Sequence, residues 1–357
     1  MTRKNKHSRI LLIFFNLFLI LILLIIIDPL VGVFIEENEG ETRNISFKEN
    51  KPNSVIKVAP YKKDKLNEPV VKRTDKHGFI LGPGEKSTDK IDFIFLGSST
   101  VENENVRENK RYPYLSIENL NQKLQTNYIS RNAGVGGNLI SNSNLSLTVK
   151  IVDLNPKYIV LSSSLIDILY LSKNESYWTG SKKLVESSKP GISLLKSLKE
   201  LLFPNLWLQA RKFIASGDIS DFQGSQFSPK DKHRILSHYE KQLDVFINTC
   251  QIYNIKPILM TDYYIPELIR NNLIRKKIFN SEEANYYVQT LIPSINNIIE
   301  TKSRLHKIPL IRLNELVEKN ELYINSEDGV HLTNLGNEKV SKIISTFLVQ
   351  HLAYEKN

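Results

Sequence analysis

The spacing of apolar positions changes several times along the chain, and each change marks an element. Residues 10–27, ILLIFFNLFLILILLIII, are apolar at every position except Asn16. As a helix rising 1.5 Å per residue this run reaches about 27 Å, close to the hydrocarbon thickness of a bilayer. Residues 30–35 can extend it beyond Asp28 and Pro29. The run is longer than the apolar region of a cleaved signal peptide, about 7–15 residues, and no small-x-small cleavage site follows. Residues 10–35 are therefore expected to form a transmembrane signal anchor. Arg3, Lys4, Lys6 and Arg9 flank it within residues 1–9, which predicts a cytoplasmic amino terminus and an exported remainder.

From 36 to 90 the pattern is polar and broken by Pro52, Pro60, Pro69 and Pro83. This stretch reads as an extracytoplasmic linker with local docking through Phe79, Ile80 and Leu81. Beyond it, short apolar runs alternate with helical spacing. Strands are expected at 91–96, 128–131, 158–161, 257–260 and 309–313, and helices at 112–124, 139–154, 231–253, 282–304 and 334–352. Such alternation predicts a parallel sheet between two layers of helices. Residues 168–229 break the rhythm and are expected to form an insertion over the sheet edge.

Composition narrows the classes. With 41% hydrophobic and 24% charged residues, the 357-residue chain has the balance of a folded protein. Its single cysteine, Cys250, excludes an internal disulfide framework and a cysteine-based metal cluster. The net charge of +10 is spread over Lys- and Asn-rich segments without any nucleic-acid-binding motif, so no nucleic acid partner is expected. His77, His233, His238, His306 and His351 lack partners at metal-ligand spacing. The glycines of 132–138 lack the full dinucleotide-binding pattern.

Candidate chemistry gathers at strand ends: GSST at 97–100, NAGVGGN at 132–138, SSSLID at 162–167 and DGVH at 328–331. In a parallel sheet these ends share one edge. Serine-based acyl transfer needs a nucleophile, a base, a carboxylate that orients the base, and donors for the oxyanion. Ser99, His331 and Asp328 supply the first three types of group. Each has an ordinary alternative: Ser99 as a helix cap, Asp328-Gly329 as a turn pair, His331 as a surface residue. Their combination and order favour the chemical reading.

The order of these blocks resembles the SGNH/GDSL hydrolase superfamily, from about residue 91 to the carboxyl terminus. FLGSSTVE is similar to the first block, in the GGSTTE-like form of membrane-anchored bacterial members. NAGVGGN is similar to the second block, and DGVHLTNLG to the Asp-x-x-His block. The resemblance implies a flavodoxin-like three-layer α/β/α sandwich, Ser99 as nucleophile, His331 as base and Asp328 as orienter. It also implies an oxyanion hole formed by the N–H groups of Ser99 and Gly137. The third block departs from the pattern, with Ile166 where the family has an asparagine donor. Asn138 or a serine of 162–164 could substitute; otherwise the rate is low or the chemistry lost.

The expected function is that of a membrane-anchored esterase or O-acyltransferase acting on acyl groups, acetyl foremost, of a surface glycan. The alternatives are a catalytically weakened protein of the same fold that binds glycan or an assembly partner, and a teichoic-acid D-alanylation-type protein. No metal or organic cofactor is implied.

Overall fold

The computed structural model describes residues 48–162, 165–177 and 229–355, together with 14–16, 18, 19, 22, 43–45 and 185–187. The chain divides into two compact units, residues 1–46 with 181–221 and residues 47–180 with 222–357. In the first, a short ladder pairs Arg43–Ile45 antiparallel with Val185–Ser187. The expected signal anchor at 10–35 lies mostly outside the described residues, and no described helix is long and apolar enough to cross a membrane. Most of the insertion expected at 168–229 is likewise outside them.

The second unit begins with an antiparallel hairpin, β1 (Val55–Val58) and β2 (Val70–Arg73). There follow β3 (Phe93–Gly97), the short α1 (Ser99–Glu102), α2 (Tyr112–Leu124), β4 (Ser130–Gly134), α3 (Ile140–Ser146), β5 (Tyr158–Ser162) and α4 (Leu165–Leu171). Then come α5 (Pro229–Ile252), β6 (Lys256–Met260), α6 (Pro266–Arg275), α7 (Ser281–Tyr286), α8 (Ile292–His306), β7 (Leu310–Ile311), α9 (Leu313–Leu316) and α10 (Asn334–Glu355). The sheet order is β4-β3-β5-β6-β7, with every neighbouring pair parallel. This is the flavodoxin-like order, in which the strand sequence reverses beside the first strand of the sheet.

The pleat explains the layers. Phe93 and Phe95 of β3 point to one side and Ile94 and Leu96 to the other. The phenylalanines join Val160, Ile258 and Met260 in a cluster with α2 and α10 residues such as Tyr112, Leu120, Val340 and Ile344. Ile94 and Leu96 join Ile159, Leu161 and Leu259 in a second cluster with Ile140, Ile168, Phe246 and Ile295 from the helices opposite. Both faces of the sheet are thus covered.

Several elements differ from expectation for identifiable reasons. The second sheet strand starts at Ser130, not 128, because the Asn121 side chain takes both backbone groups of Tyr128, at 2.8 and 2.9 Å. The helix expected over 139–154 passes into a π turn at Leu147–Ile151, where Thr148 Oγ1 donates back to the carbonyls of Asn144 and Leu145. The helix expected over 282–304 is interrupted by a π turn at Tyr287–Leu291. Pro293, just beyond it, has no N–H to donate and crowds the preceding turn.

The stretch expected as a linker is docked from residue 48 onward. Val70, Phe79, Ile80 and Leu81 are buried, each worth about 1.5–3 kcal/mol of apolar transfer. Ile80 pairs with Asn132 across the open edge of β4, and Asp75 lies 3.3 Å from the buried Arg131 guanidinium. Arg131 also donates to Glu85 and to the Lys86 carbonyl. No single apolar piece of this segment is long enough to suggest a core, and Ile80, Asp75 and Lys72 reach their partners on β4 and α1. We call residues 48–90 the strap.

Candidate active site

Ser99 is presented by close backbone packing at the carboxyl edge of the sheet. β3 ends at Gly97, where a Cβ would fall 2.1 Å from the Ser162 carbonyl oxygen. Ser98 is extended and α1 starts at Ser99. Ser98 is buried with its hydroxyl 3.3 Å from Thr100 Oγ1, whereas Ser99 is half-buried and reaches outward. Ser99 Oγ lies 2.8 Å from His331 Nε2.

The turn 325–331 holds the imidazole from the other side. His331 Nδ1 is 3.0 Å from Asp328 Oδ2, which also accepts from Asn325 Nδ2 at 2.7 Å. Asp328 Oδ1 accepts from the backbone N–H groups of Val330 and His331 at 2.9 and 3.0 Å. A carboxylate only accepts, so it assigns the ring proton to Nδ1 and leaves Nε2 free to accept from the serine hydroxyl. Burial pushes the Asp328 carboxyl upward, but the hydrogen bonds and charge of His331 with the two backbone donors outweigh it and hold the group below its ordinary value. Gly329 is required twice. Its φ is +77°, and a Cβ there would sit 2.6 Å from Leu268 Cβ at the start of α6.

The loop after β4 closes the third side. Gly134 meets α1 so closely that a Cβ would be 2.3 Å from the Glu102 nitrogen, and Asn132 Nδ2 donates to the Val101 carbonyl. Gly137 takes φ +73°, in a turn where Asn138 N–H donates to the Val135 carbonyl. A Cβ on Gly136 would be 3.9 Å from Ser99 Cβ, so this loop flanks the serine. Asn138 is buried, and its Oδ1 has no hydrogen-bond partner among the described residues.

The third block divides into residues with visible work and residues without. Ile166 is half-buried in the first turn of α4. Asp167 is fully buried and accepts from the Ile140 N–H at 2.9 Å and from Tyr177 OH at 2.8 Å, fastening the start of α3 to α4. Ser162 Oγ donates to Asp262 Oδ1 at 2.6 Å, so it is occupied away from the serine. Ser163 and Ser164 lie outside the described residues. Tyr177 stacks on Tyr170 with an interplanar angle of 7° and packs edge-on to His238. Trp178 and Trp207 lie outside the described residues.

Three contributors were missed from the sequence. Asp262, just past β6, lies buried between Ser162, Thr100 and the Leu165 N–H; an acidic residue directly after a buried strand was the available signal. Tyr61, from the strap, places its ring 6.2 Å from that of His331. Burial and then the Asp328 charge push its hydroxyl well above the ordinary tyrosine range, so it stays neutral. Lys72 pairs with Glu102, both almost fully buried, at 2.5 Å. Lys72 stands in a polar stretch that offered no hint of burial. A cavity of about 450 Å³, lined among others by Lys63, Leu66, Arg107, Thr333 and Leu335, opens beside the strap but includes none of Ser99, Asp328 and His331. Cys250 plays no part; burial pushes its thiol up to about 12.

The fold and site together define a doubly wound α/β domain with a serine–histidine–aspartate relay at the carboxyl edge of its sheet. No family model and no curated protein sequence matches the chain. Among solved structures it is similar to an acetyl xylan esterase, with 22% identity over 72% of this chain and 98% of that one, at a TM-score of 0.42. It is also similar to a GDSL-like lipase from Bacteroides thetaiotaomicron, with 15% identity over 74% and 89% and a TM-score of 0.41. A lipase/acylhydrolase from Enterococcus faecalis matches with 12% identity over 73% and 96% and a TM-score of 0.42.

Proposed function

We propose that the chain is a serine esterase or O-acyltransferase that works through an acyl-Ser99 intermediate. The observation that carries this reading is the continuous relay from Ser99 Oγ to His331 Nε2 and from His331 Nδ1 to Asp328, at 2.8 and 3.0 Å. Ser99 Oγ attacks the acyl carbonyl as His331 Nε2 takes its proton, and Asp328 holds and stabilises the imidazolium. The tetrahedral oxyanion is held by the N–H groups of Ser99 and Gly137. It collapses by breaking the bond to the leaving alcohol, which receives the proton from His331. Water, or the hydroxyl of an acceptor sugar, then attacks acyl-Ser99 with His331 again as base. Water gives hydrolysis and the sugar gives transfer.

The finer reading is a membrane-anchored extracytoplasmic enzyme whose substrate is an acylated, foremost acetylated, surface glycan. It rests on the apolar run at 10–27 with its basic flank, and on the resemblance of the first block to membrane-anchored members. A second reading, a weakened protein of this fold that binds glycan or an assembly partner, is favoured by Ile166 standing where a side-chain donor would be; losing one such donor costs about 10²–10³ in turnover.

Treating the full-length chain in detergent with a fluorophosphonate probe and p-nitrophenyl acetate separates the two. The esterase reading expects labelling and acetate release in the wild type, and neither in Ser99→Ala. Absence of labelling in a folded wild type would favour the binding protein.

A further inference from the structure

The oxyanion side of the site is gripped from outside by the strap. Lys48 Nζ donates to the Gly136 carbonyl, and Asn50 Nδ2 donates to the Gly134 carbonyl at 3.0 Å. Asn50 Oδ1 in turn accepts from Lys72 Nζ at 3.2 Å. Lys72 is buried and pairs with Glu102 and Glu104 at 2.5 and 3.1 Å. Glu102 completes the ring, because its Oε2 lies 2.9 Å from the point where a Cβ on Gly136 would sit. Two carbonyls of one short loop are therefore held by two side chains, and one of those is braced by a buried ion pair.

The Gly136 carbonyl and the Gly137 N–H belong to the same planar trans peptide and point in opposite directions. Fixing the oxygen on the strap side fixes the direction of the hydrogen on the other. A cation on the oxygen also polarises the peptide and strengthens its N–H as a donor. The peptide needs such a hold, since glycines flank it on both sides and no side chain of its own resists a flip. With Ile166 unable to donate, the hole leans more on its backbone N–H groups, and the orientation of this one peptide carries more of the stabilisation.

We propose that Lys48 is a positioning residue of the oxyanion hole, holding the Gly136–Gly137 peptide with the Gly137 N–H turned toward Ser99, that Asn50 anchors the same loop two residues earlier at the Gly134 carbonyl, and that Lys72 braces Asn50. The proposal rests on the esterase reading for its catalytic consequence. Its structural part stands independently.

The test uses full-length Lys48→Met, Asn50→Ala and Lys48→Arg chains with two readouts. The first is the amide ¹H–¹⁵N cross-peak of Gly137. It should shift and broaden in the Met and Ala variants while that of Gly84, a positive-φ glycine with open space around it, stays in place. The second is p-nitrophenyl acetate turnover. The kcat should fall about tenfold in each of these two variants with KM nearly unchanged, the pattern of a lost transition-state interaction. Lys48→Arg, which keeps the cation and the donor, should restore most of it. An unchanged Gly137 cross-peak in both variants overturns the proposal whatever happens to turnover, as does an unchanged kcat in an active enzyme. A wild type inert to the fluorophosphonate would refute the esterase reading instead, and the Gly137 cross-peak would still decide the clamp.

Discussion

The two sides of the site are built by different means. Ser99, His331 and Asp328 sit on parts of the fold that hold themselves: a strand end pressed against β5, and a turn tied by backbone bonds to one carboxylate. The opposite side, residues 134–138, is a glycine-rich loop whose carbonyls are met by side chains from the strap. One side is fixed by local chain geometry and the other by long-range docking. The difference teaches that a relay can be complete while the groove that stabilises its charge depends on a segment far away in sequence.

Breaking the self-held side should have the largest effect. Asp328→Asn is expected to lower kcat about 10⁴-fold, because an amide no longer dictates the imidazole tautomer; turnover of p-nitrophenyl acetate checks it. The same residue gives a pH signature. Its folded pKa is depressed, so the stability it contributes is complete above the ordinary carboxylate range, about 3.9, and is lost as pH falls through the lower folded value. Denaturant midpoints measured between pH 2 and pH 6, a window taken from that reference value, should therefore fall less steeply on acidification in Asp328→Asn than in wild type.

Breaking the docked side should appear first as lost stability. Lys72→Met leaves Glu102 buried without its cation, at an expected cost of about 3 kcal/mol in equilibrium unfolding. Gly134→Ala should cost about 2 kcal/mol, since the new Cβ meets backbone rather than a movable side chain. Gly84→Ala, with nothing within 4 Å of its Cβ, should cost only about 1 kcal/mol of backbone strain at φ +71°. Equal costs at the two glycines would remove the contrast between a closely packed glycine and an open one.

The smallest effects sharpen the comparison. Ile166→Asn should raise kcat by about tenfold at most, short of the full value of a side-chain donor, because residue 166 begins a helix. Asn138→Ala should lower kcat more than it raises KM if its amide serves the oxyanion; steady-state kinetics on both variants decide which one does.

The sheet was legible because buried strands write their own pattern. The runs at 93–96 and 158–161 alternate large apolar residues to two faces, which requires helices on both sides. The Asp-x-x-His turn was legible for the same local reason, since its residues are three apart and bond to one another's backbone. The docking of 48–90 was legible only at Phe79, Ile80 and Leu81; that of the polar residues was not, because Lys72 and Asp75 find their partners on α1 and β4. The shortened second strand depended on one asparagine side chain seven residues away.

The sequence by itself determined the alternation of elements, the serine, histidine and aspartate, and the isoleucine where a donor was expected. These are statements about period, spacing and residue chemistry. Only the tertiary structure decided that Ser99 and the imidazole of His331 lie 2.8 Å apart, that Ser162 is committed to Asp262, and that a presumed linker grips the oxyanion loop. Those outcomes depend on which groups are brought within about 3 Å of each other across long stretches of chain, and a hydrogen bond exists only at that distance.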